Sequence, residues 1–215
     1  MTNTPRRRSP APEERRIDAD RSRRLLLDAA LEEFAGKGFA GARVRDIAAR
    51  AGVSKDLVNY HFGGKEGLYA EVQRAWLRRE DAFSDPRLPL AENLIRYLHD
   101  ALDDPRPMRL LAWRGLTGVD EPPPDLTDGA DDLAGMRRRQ RRGELAADLD
   151  PATVRLVLLG ALAAPVVFPH VARRLFGIEP GAPEFEARYG EGLRRLLDHL
   201  APASPAADGP APDDE

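Results

Sequence analysis

The chain has 215 residues, 42% of them hydrophobic, and a formal net charge of −3. This length allows one or two domains with a normal core. The absence of cysteine excludes disulfides, thiolate metal sites and cysteine nucleophiles. No N-terminal apolar run of the signal-peptide kind is present, and the apolar run at 154–168 is too short and interrupted to span a bilayer, so we expect a cytoplasmic protein with no membrane partner.

The charges are unevenly distributed along the chain. The first 60 residues contain 13 Lys and Arg against 9 Asp and Glu, a net charge of +4, which leaves −7 for the rest. This asymmetry fits a basic N-terminal part that approaches DNA and an acidic remainder that stays away from it.

The first segment, residues 1–17, is rich in Pro, Arg and Glu without hydrophobic periodicity, and we expect it to be disordered. Its Arg6, Arg7 and Arg8 suit either a basic arm in a DNA minor groove or a solvated tail that adds weak electrostatic affinity. The composition favours the tail. The Ala, Pro and Asp-rich segment 201–215 is also expected to be disordered.

A first helix is predicted over about residues 18–35. Its buried stripe consists of Leu27, Ala30, Leu31 and Phe34. Gly36 and Gly38 end this helix, and we expect Phe39 to pack beneath the helices that follow.

Two short helices across a glycine turn are predicted next. The first has apolar residues at the spacing of one helix face, at Val44, Ile47, Ala48 and Ala51. Gly52 ends it, since glycine readily takes the left-handed conformation of a tight turn. Ser54 is the expected N-cap of the second helix, and Val53 and Val58 are spaced as a hydrophobic staple. This pattern is typical of a helix-turn-helix.

The second short helix, from Lys55 to about His61, has an unusual outer face. With Val58 inward, that face consists of Lys55, Asp56, Asn59 and Tyr60. Asn and Tyr are poor helix formers, so helix propensity does not explain them. They suit base edges and phosphates in a DNA major groove. The alternative is an ordinary helical hairpin with a solvated polar face.

A long helix is predicted from Lys65 to about Phe83, after the break at Gly63 and Gly64. A cation beside the amino end of a helix suits a phosphate site, because the free backbone N–H groups there point at the same anion. Phe62 is expected to turn back as an anchor.

Turn signals divide the remaining chain into helices at about residues 90–103, 108–118, 126–142, 152–164 and 182–200. Asp150 followed by Pro151 marks a clear helix start. The basic run 137–142 suits the carboxyl end of a helix better than a second nucleic-acid patch.

Two apolar helices near the end of the chain suit a homodimer interface. The helix over residues 152–164 is apolar nearly all round, so we expect it to be buried on more than one side. The last helix has one broad apolar face, consisting of Phe185, Tyr189, Leu193, Leu196, Leu197 and Leu200.

No motif indicates an enzyme, and we expect no catalytic residue, metal or cofactor. The four histidines are His61, His99, His170 and His199, without a metal-ligand spacing. Neither a glycine-rich phosphate loop nor a G-x-S-x-G elbow is present.

A kinked apolar helix in a helical domain favours a ligand cavity between helices. The candidates to line it are Tyr97, Met108, Leu110, Trp113, Phe168 and His170. Each of these also suits ordinary core packing. The polar residues His99, Arg114 and His170 suggest an acidic or carbonyl-bearing ligand, whose identity the sequence does not give.

The stretch VRDIAARAGVSKDLVNYHFGGKEGLY, with LLLDAALEEFAGKGFAGARVRDIA before it, resembles the DNA-binding domain of the TetR family of bacterial transcriptional repressors. The resemblance covers about Arg24–Tyr69 in helix order, turn glycines and hydrophobic spacing. It implies an all-α fold with a three-helix N-terminal helix-turn-helix DNA-binding domain, at residues 18–64, and a C-terminal helical dimerisation and ligand-binding domain, at 65–200.

The resemblance also implies a function: a sequence-specific, homodimeric repressor that binds a palindromic operator in double-stranded DNA and is released by a small-molecule effector. The residues assigned to DNA contact are Arg43, Arg45, Lys55, Asp56, Leu57, Asn59, Tyr60, His61 and Lys65. Among these, Lys55, Asn59 and Tyr60 are expected to contact bases, and the four residues Arg43, Arg45, His61 and Lys65 to hold phosphates. The alternative is a helical DNA-binding protein without sequence preference or effector.

The chain departs from the family pattern at two places. Ala42 and Arg43 stand where the family often has threonine or serine, so a hydroxyl cap is lost. The recognition helix has Asp56, Leu57 and Asn59 where small residues, threonine and tyrosine are common. The operator sequence is therefore left open.

Overall fold

A computed structural model describes residues 12–117 and 129–202. Within these ranges the chain forms ten α-helices and no strand, which confirms the all-α prediction. The helices are α1 (Pro12–Gly41), α2 (Val44–Ala51), α3 (Asp56–Phe62), α4 (Lys65–Phe83), α5 (Leu90–Asp103), α6 (Arg106–Thr117), α7 (Gly129–Arg141), α8 (Pro151–Val167), α9 (Pro169–Phe176) and α10 (Pro183–Leu200).

The chain divides into two compact units. The first, which we call the head, comprises Met1–Ala82 and Arg106–Leu126, and the second, the body, comprises Phe83–Pro105 and Thr127–Glu215. This division differs from the boundary expected after residue 64, because nearly all of α4 and the whole of α6 belong to the head. The sequence pattern marks where helices end but not which helices they pack against.

The head is built around α1, which packs against α2, α3 and α6. Fully buried Leu26, Ala30 and Phe34 give α1 an apolar stripe at helical spacing. The same core includes Ile47 from α2, Val58 from α3, Leu68 and Val72 from α4 and Leu110 from α6. Phe39 packs against this core and meets the Tyr69 ring at 4.9 Å, as expected for a residue beneath the short helices.

The start and end of α1 differ from the prediction. The helix begins at Pro12, so residues 12–17, expected to be disordered, are helical, and residues 1–11 with the three arginines lie outside the described residues. Gly36 does not end the helix. The break comes at Gly38, whose φ of 67° is left-handed and costs little without a Cβ.

Ion pairs tie the head helices together. Buried Glu33 on α1 accepts hydrogen bonds from Lys37 and from Arg50 at the end of α2. The Lys37 hydrogen bond is the main cause that lowers the pKa of Glu33, and it outweighs the effect of burial. On α4, Glu71 pairs with Arg23 of α1 at 2.7 Å. Arg106 of α6 donates to Asp28 of α1 at 2.8 Å.

The pKa of Glu71 is lowered to about 2. Burial alone would raise it, but hydrogen bonds from Arg23, Arg78 and Arg74 outweigh that effect. The carboxylate side chain is 14% exposed, so these three cations hold it in a mostly desolvated place where the charged form is still favoured.

In the body, α5 packs against α8 and α10, while α7 and α9 pack against α8. Asp150 caps α8 as predicted, since its carboxylate accepts from the Thr153 backbone N–H at 2.8 Å. The Tyr189 hydroxyl donates to the Ala161 carbonyl at 2.8 Å and joins α10 to α8.

Within the single chain, α8 is buried on one side. The helix buries Val154, Leu158 and Leu162, but Leu156 and Val157 are 69% and 60% exposed, so the expected burial on more than one side does not arise among the described residues of one chain. It runs through Pro165 to Val167, and α9 starts after an 89° bend. Among the described residues no single helix is long and apolar enough to cross a membrane. The pair α8 and α9 meets both criteria only when the two helices are counted together, across that bend.

Candidate DNA-binding surface and body cavity

The turn between α2 and α3 is set by a left-handed glycine. Gly52 has φ 68° and its N–H donates to the Ala49 carbonyl, while the Val53 N–H donates to the Ala48 carbonyl. These bonds satisfy carbonyls at the end of α2 that have no partner within the helix. The structure thus contains the predicted helix-turn-helix, with α2 ending at Ala51 as predicted.

The helix α3 is anchored on one side and open on the other. Val58 is fully buried in the head core, with Val53 and Phe62 packed against the same core. The opposite face consists of four exposed side chains, Lys55, Asp56, Asn59 and Tyr60. Tyr60 is 77% exposed, which is unusual for a ring that would gain by burial. The structure therefore brings together the polar and aromatic groups that the sequence assigned to one face.

The start of α3 differs in detail from the prediction. The capping position is Lys55, which makes no side-chain capping bond. The expected cap, Ser54, contributes its backbone carbonyl, which accepts from the Leu57 N–H at 3.2 Å. Leu57 is half-buried against the head core, so its side chain is partly committed to packing, although the sequence grouped it with the DNA contacts.

Two predicted phosphate ligands are partly engaged within the head. The Lys65 ammonium lies 4.5 Å from the centre of the Phe39 ring, a cation–π contact at the start of α4. His61 is half-buried, and its Nε2 is shielded from solvent with no hydrogen-bond partner in the described residues. In this conformation Nε2 is not presented to a phosphate outside the protein.

Two arginines lie at the start of α2. Arg43 is exposed and occupies the capping position with extended backbone and no side-chain capping bond, as the missing hydroxyl predicts. Arg45 is 69% exposed and pairs with its neighbour Asp46 at 3.1 Å. Both guanidinium groups are open to solvent on the helix that precedes α3, where long cationic side chains suit phosphate oxygens.

The six predicted cavity residues are not brought together. Leu110 is buried in the head core, and the Trp113 indole N–H donates to the Ala35 carbonyl of α1 at 3.0 Å. Met108 lies on the same helix, α6, within the head. Phe168 is 54% exposed at the end of α8, and His170 is exposed on α9. Of the six, Tyr97 lines a cavity of the body.

This cavity lies between α5, α7 and α8 and has a volume of about 200 Å³. Its apolar lining residues are Leu90, Leu94, Met136, Leu158 and Leu162. Its polar lining residues are Ser84, Asn93, Tyr97, Arg138, Arg139 and Arg155. The Tyr97 hydroxyl donates to Ser84 at 3.1 Å.

The arginines of this cavity were missed from sequence. Two belong to the basic run that was assigned to the helix dipole, yet the Arg139 side chain is only 6% exposed and donates to the Leu88 carbonyl and to Glu144. The one feature of the sequence that could have indicated this polar lining is Arg155, because it is a charged residue in an otherwise apolar stretch.

No group of three or more His, Cys, Asp or Glu side chains that could hold a metal ion occurs in the part of the chain that the structure describes.

The chemistry available at the α2–α3 surface is hydrogen-bond donation, ring contact and positive charge. These are the groups that recognise duplex DNA, with cations for phosphates and amide and phenol groups for base edges.

Comparison with known proteins points to one family. The model of "Bacterial regulatory proteins, tetR family" matches residues 26–72. The HTH-type transcriptional repressor SCO4008 of Streptomyces coelicolor is 32% identical over 191 residues, which cover 84% of this chain and 97% of that protein. The HTH-type transcriptional regulator RutR of Escherichia coli is 34% identical over 140 residues, or 60% of this chain and 66% of RutR.

A solved structure of a transcriptional regulator is similar to this chain over most of its length. The transcriptional regulator SCO4942 of Streptomyces coelicolor is similar with a TM-score of 0.66 and 28% identity, over 81% of this chain and 97% of that one. The chain therefore belongs to the TetR family and is a helix-turn-helix transcriptional regulator.

Proposed function

We propose that the chain represses transcription by binding, as a homodimer, to a palindromic operator, and that a small molecule bound in the body releases it. The observation that carries this proposal is the exposed face of α3, which consists of Lys55, Asn59 and Tyr60 while buried Val58 anchors the opposite side of the helix. One relative, which aligns with this chain over nearly its whole length, is named a repressor, and this name supports repression over activation.

The recognition surface has two parts with different tasks. Asn59 and Tyr60 reach base edges and decide which sequence is bound. Arg43 and Arg45, on the preceding helix, hold phosphates and fix the register of α3 in the groove. The Lys65 side chain, which stacks on Phe39, adds positive potential at the start of α4.

Exposed apolar side chains on the body support dimerisation. Leu156 and Val157 on α8 and Leu196 on α10 are each at least 60% exposed. Pairing of these side chains across a two-fold axis would present two heads to a two-fold symmetric operator.

The experiment that tests the proposal is selection of bound duplexes from a random library, followed by titration of the enriched sequence against unrelated duplex at physiological salt. We expect a palindromic consensus and a preference on the order of a thousandfold or more. Failure to enrich any sequence, with equal binding to all duplexes, would support the alternative protein without sequence preference.

A pair of variants then assigns the recognition helix. Tyr60→Ala is expected to lose the preference while the dimer and its helicity are retained, because the ring is exposed and supports no core contact. Tyr60→Phe separates the hydroxyl from the ring. If Tyr60→Ala binds the selected operator as tightly as the unmodified protein, α3 is not the recognition helix.

A further inference from the structure

The lining of the body cavity combines apolar and cationic side chains. It includes leucines from α5 and α8, Met136 from α7, and three arginines, Arg138, Arg139 and Arg155. No Asp or Glu occurs among the described residues that line it. The charged side chains in this described lining are therefore all cationic, which disfavours a ligand cation and favours an anion.

Arg139 is the most informative of the three. Its side chain is 6% exposed, and its Nη1 donates to the Leu88 carbonyl at 2.8 Å and to Glu144 at 2.9 Å. A guanidinium carries five N–H donors. The described residues accept hydrogen bonds from Nη1 alone, while Nε and Nη2 are not sealed from solvent. Oxygen atoms of a ligand in the cavity can accept from these remaining donors.

Glu144 does not remove this donor capacity. Its Oε2 accepts from the Leu90 backbone N–H at 2.6 Å as well as from Arg139. The carboxylate thus holds the start of α5 and fixes the Arg139 guanidinium in one orientation. A fixed guanidinium binds a carboxylate better than a mobile one, because less side-chain entropy is lost on binding.

The volume limits the size of the ligand. About 200 Å³ is below the range of about 300–1,000 Å³ that is usual for drug-sized ligands. The leucines of the lining favour a compact apolar part in the ligand, and the arginines favour an anionic group attached to it.

We propose that this cavity binds a small organic anion, with a carboxylate against Arg139 and Arg155 and a single ring or a short branched chain against the leucines of the lining. The anion is the effector of the regulator. The effector role rests on the proposed function, but binding of the anion does not depend on it.

Binding is tested on the DNA-free protein by isothermal titration. The probes are benzoate, isovalerate, the neutral isostere benzamide and the cation benzamidinium. We expect saturable binding of at least one anion, at least about 10-fold tighter than benzamide, since a charge-assisted hydrogen bond is lost in the amide. Benzamidinium should not bind. Equal affinity for benzoate and benzamide, or no saturable binding of either anion, would overturn the proposal.

Variants assign the binding to the cavity. Arg155→Gln should weaken anion binding by about 10-fold or more, and Arg155→Lys should restore part of it, because the charge returns without the planar donor pair. Arg141→Gln is the matched control: it removes the same charge from exposed α7 surface outside the cavity lining. Thermal unfolding of each variant checks that the body is folded. An equal loss in Arg155→Gln and Arg141→Gln would show a general charge effect and contradict the cavity site.

The regulatory step has a separate readout. Saturating anion should weaken the operator complex of the unmodified protein and have little effect on that of Arg155→Gln. Saturable anion binding that leaves the operator complex unchanged would contradict the effector role, and the anion site itself would stand.

Discussion

The indole ring of Trp113 occupies the space that a side chain at Gly38 would need. A Cβ built on Gly38 would lie 3.2 Å from two carbons of that ring, and the indole N–H donates to the Ala35 carbonyl at 3.0 Å. The contact joins α6 to the point where α1 leaves helical geometry. Glycine is therefore favoured at this position for two reasons: its φ of 67° is unfavourable for other residues, and the Trp113 ring leaves little room for a side chain.

Gly38→Ala should therefore destabilise the head. We expect the free energy of unfolding to fall by about 2 kcal/mol, from the left-handed backbone penalty together with displacement of the indole ring. Urea unfolding followed by circular dichroism measures this change. Gly36→Ala is the matched control: its added Cβ would meet nothing within 4 Å and its backbone is helical, so it should stabilise by about 0.5–1 kcal/mol. Equal effects of the two substitutions would contradict the role given to Trp113.

The helix-turn-helix could be predicted because its signals are local. The bounds of α2 follow from apolar spacing and from Gly52, and the burial of Val58 follows from the spacing of the staple. The exposed face of α3 then follows from helix geometry. The sequence does not distinguish Gly38 from Gly36 as the point where α1 breaks, because both are glycines; the contact with Trp113 is made at Gly38 and not at Gly36.

Long-range packing was not predictable from one sequence. Leu110 and Trp113 are residue types that often line ligand pockets. In the structure α6 packs on α1, so these side chains contact the head instead. Arg139 lies in a basic run that is typical of a solvated helix end. In the structure its side chain is only 6% exposed and pairs with Glu144. Periodicity reports which face of a helix is apolar and does not report what lies opposite that face.

The Glu71 cluster makes head stability depend on pH. The pKa of Glu71 is lowered from its ordinary 4.5 to about 2, so the folded state binds the Glu71 proton less readily than the unfolded chain does. Its contribution is fully present above about pH 4.5 and is lost as the pH falls through about 2. Glu71→Gln should cost on the order of 2 kcal/mol near pH 7, and the difference from the unmodified protein should shrink below pH 4.5.

Unfolding titrations at several pH values measure that difference. Glu66→Gln, at an exposed position in the first turn of the same helix, is the comparison and should show a smaller and flatter difference. A Glu71→Gln penalty that is constant from pH 7 to pH 3 would mean that the three arginines do not set the Glu71 pKa.

The phosphate role of Arg43 predicts a change in salt dependence. Arg43→Gln should weaken binding to selected and unrelated duplexes by similar factors, because a phosphate contact carries no sequence information. The slope of log affinity against log salt should become shallower by about 0.9 for each phosphate that the variant no longer neutralises. Filter binding or fluorescence anisotropy at several salt concentrations measures it. Arg137→Gln, an exposed body arginine, controls for the overall charge and should leave the slope unchanged. A variant that loses preference but retains the slope would place Arg43 on a base edge instead.

The exposed apolar surface of α8 predicts that the body is the dimer interface. Leu156 is 69% exposed and Val157 is 60% exposed, on a helix whose opposite face is packed by Leu158 and Leu162. Leu156→Glu should convert the dimer to monomer, because association would bury a carboxylate without a partner, while the monomer stays folded since the side chain is outside its core.

Sedimentation velocity across a range of protein concentrations measures the association. Leu116→Glu introduces the same charge at an apolar side chain of the head that is 80% exposed, and it should leave the dimer intact. The Leu156→Glu monomer should also bind the selected operator more weakly, because one head makes half of the phosphate and base contacts. If Leu156→Glu sediments as a dimer and Leu116→Glu does not, the interface lies on the head, and the spacing of the two recognition helices would have to be set there.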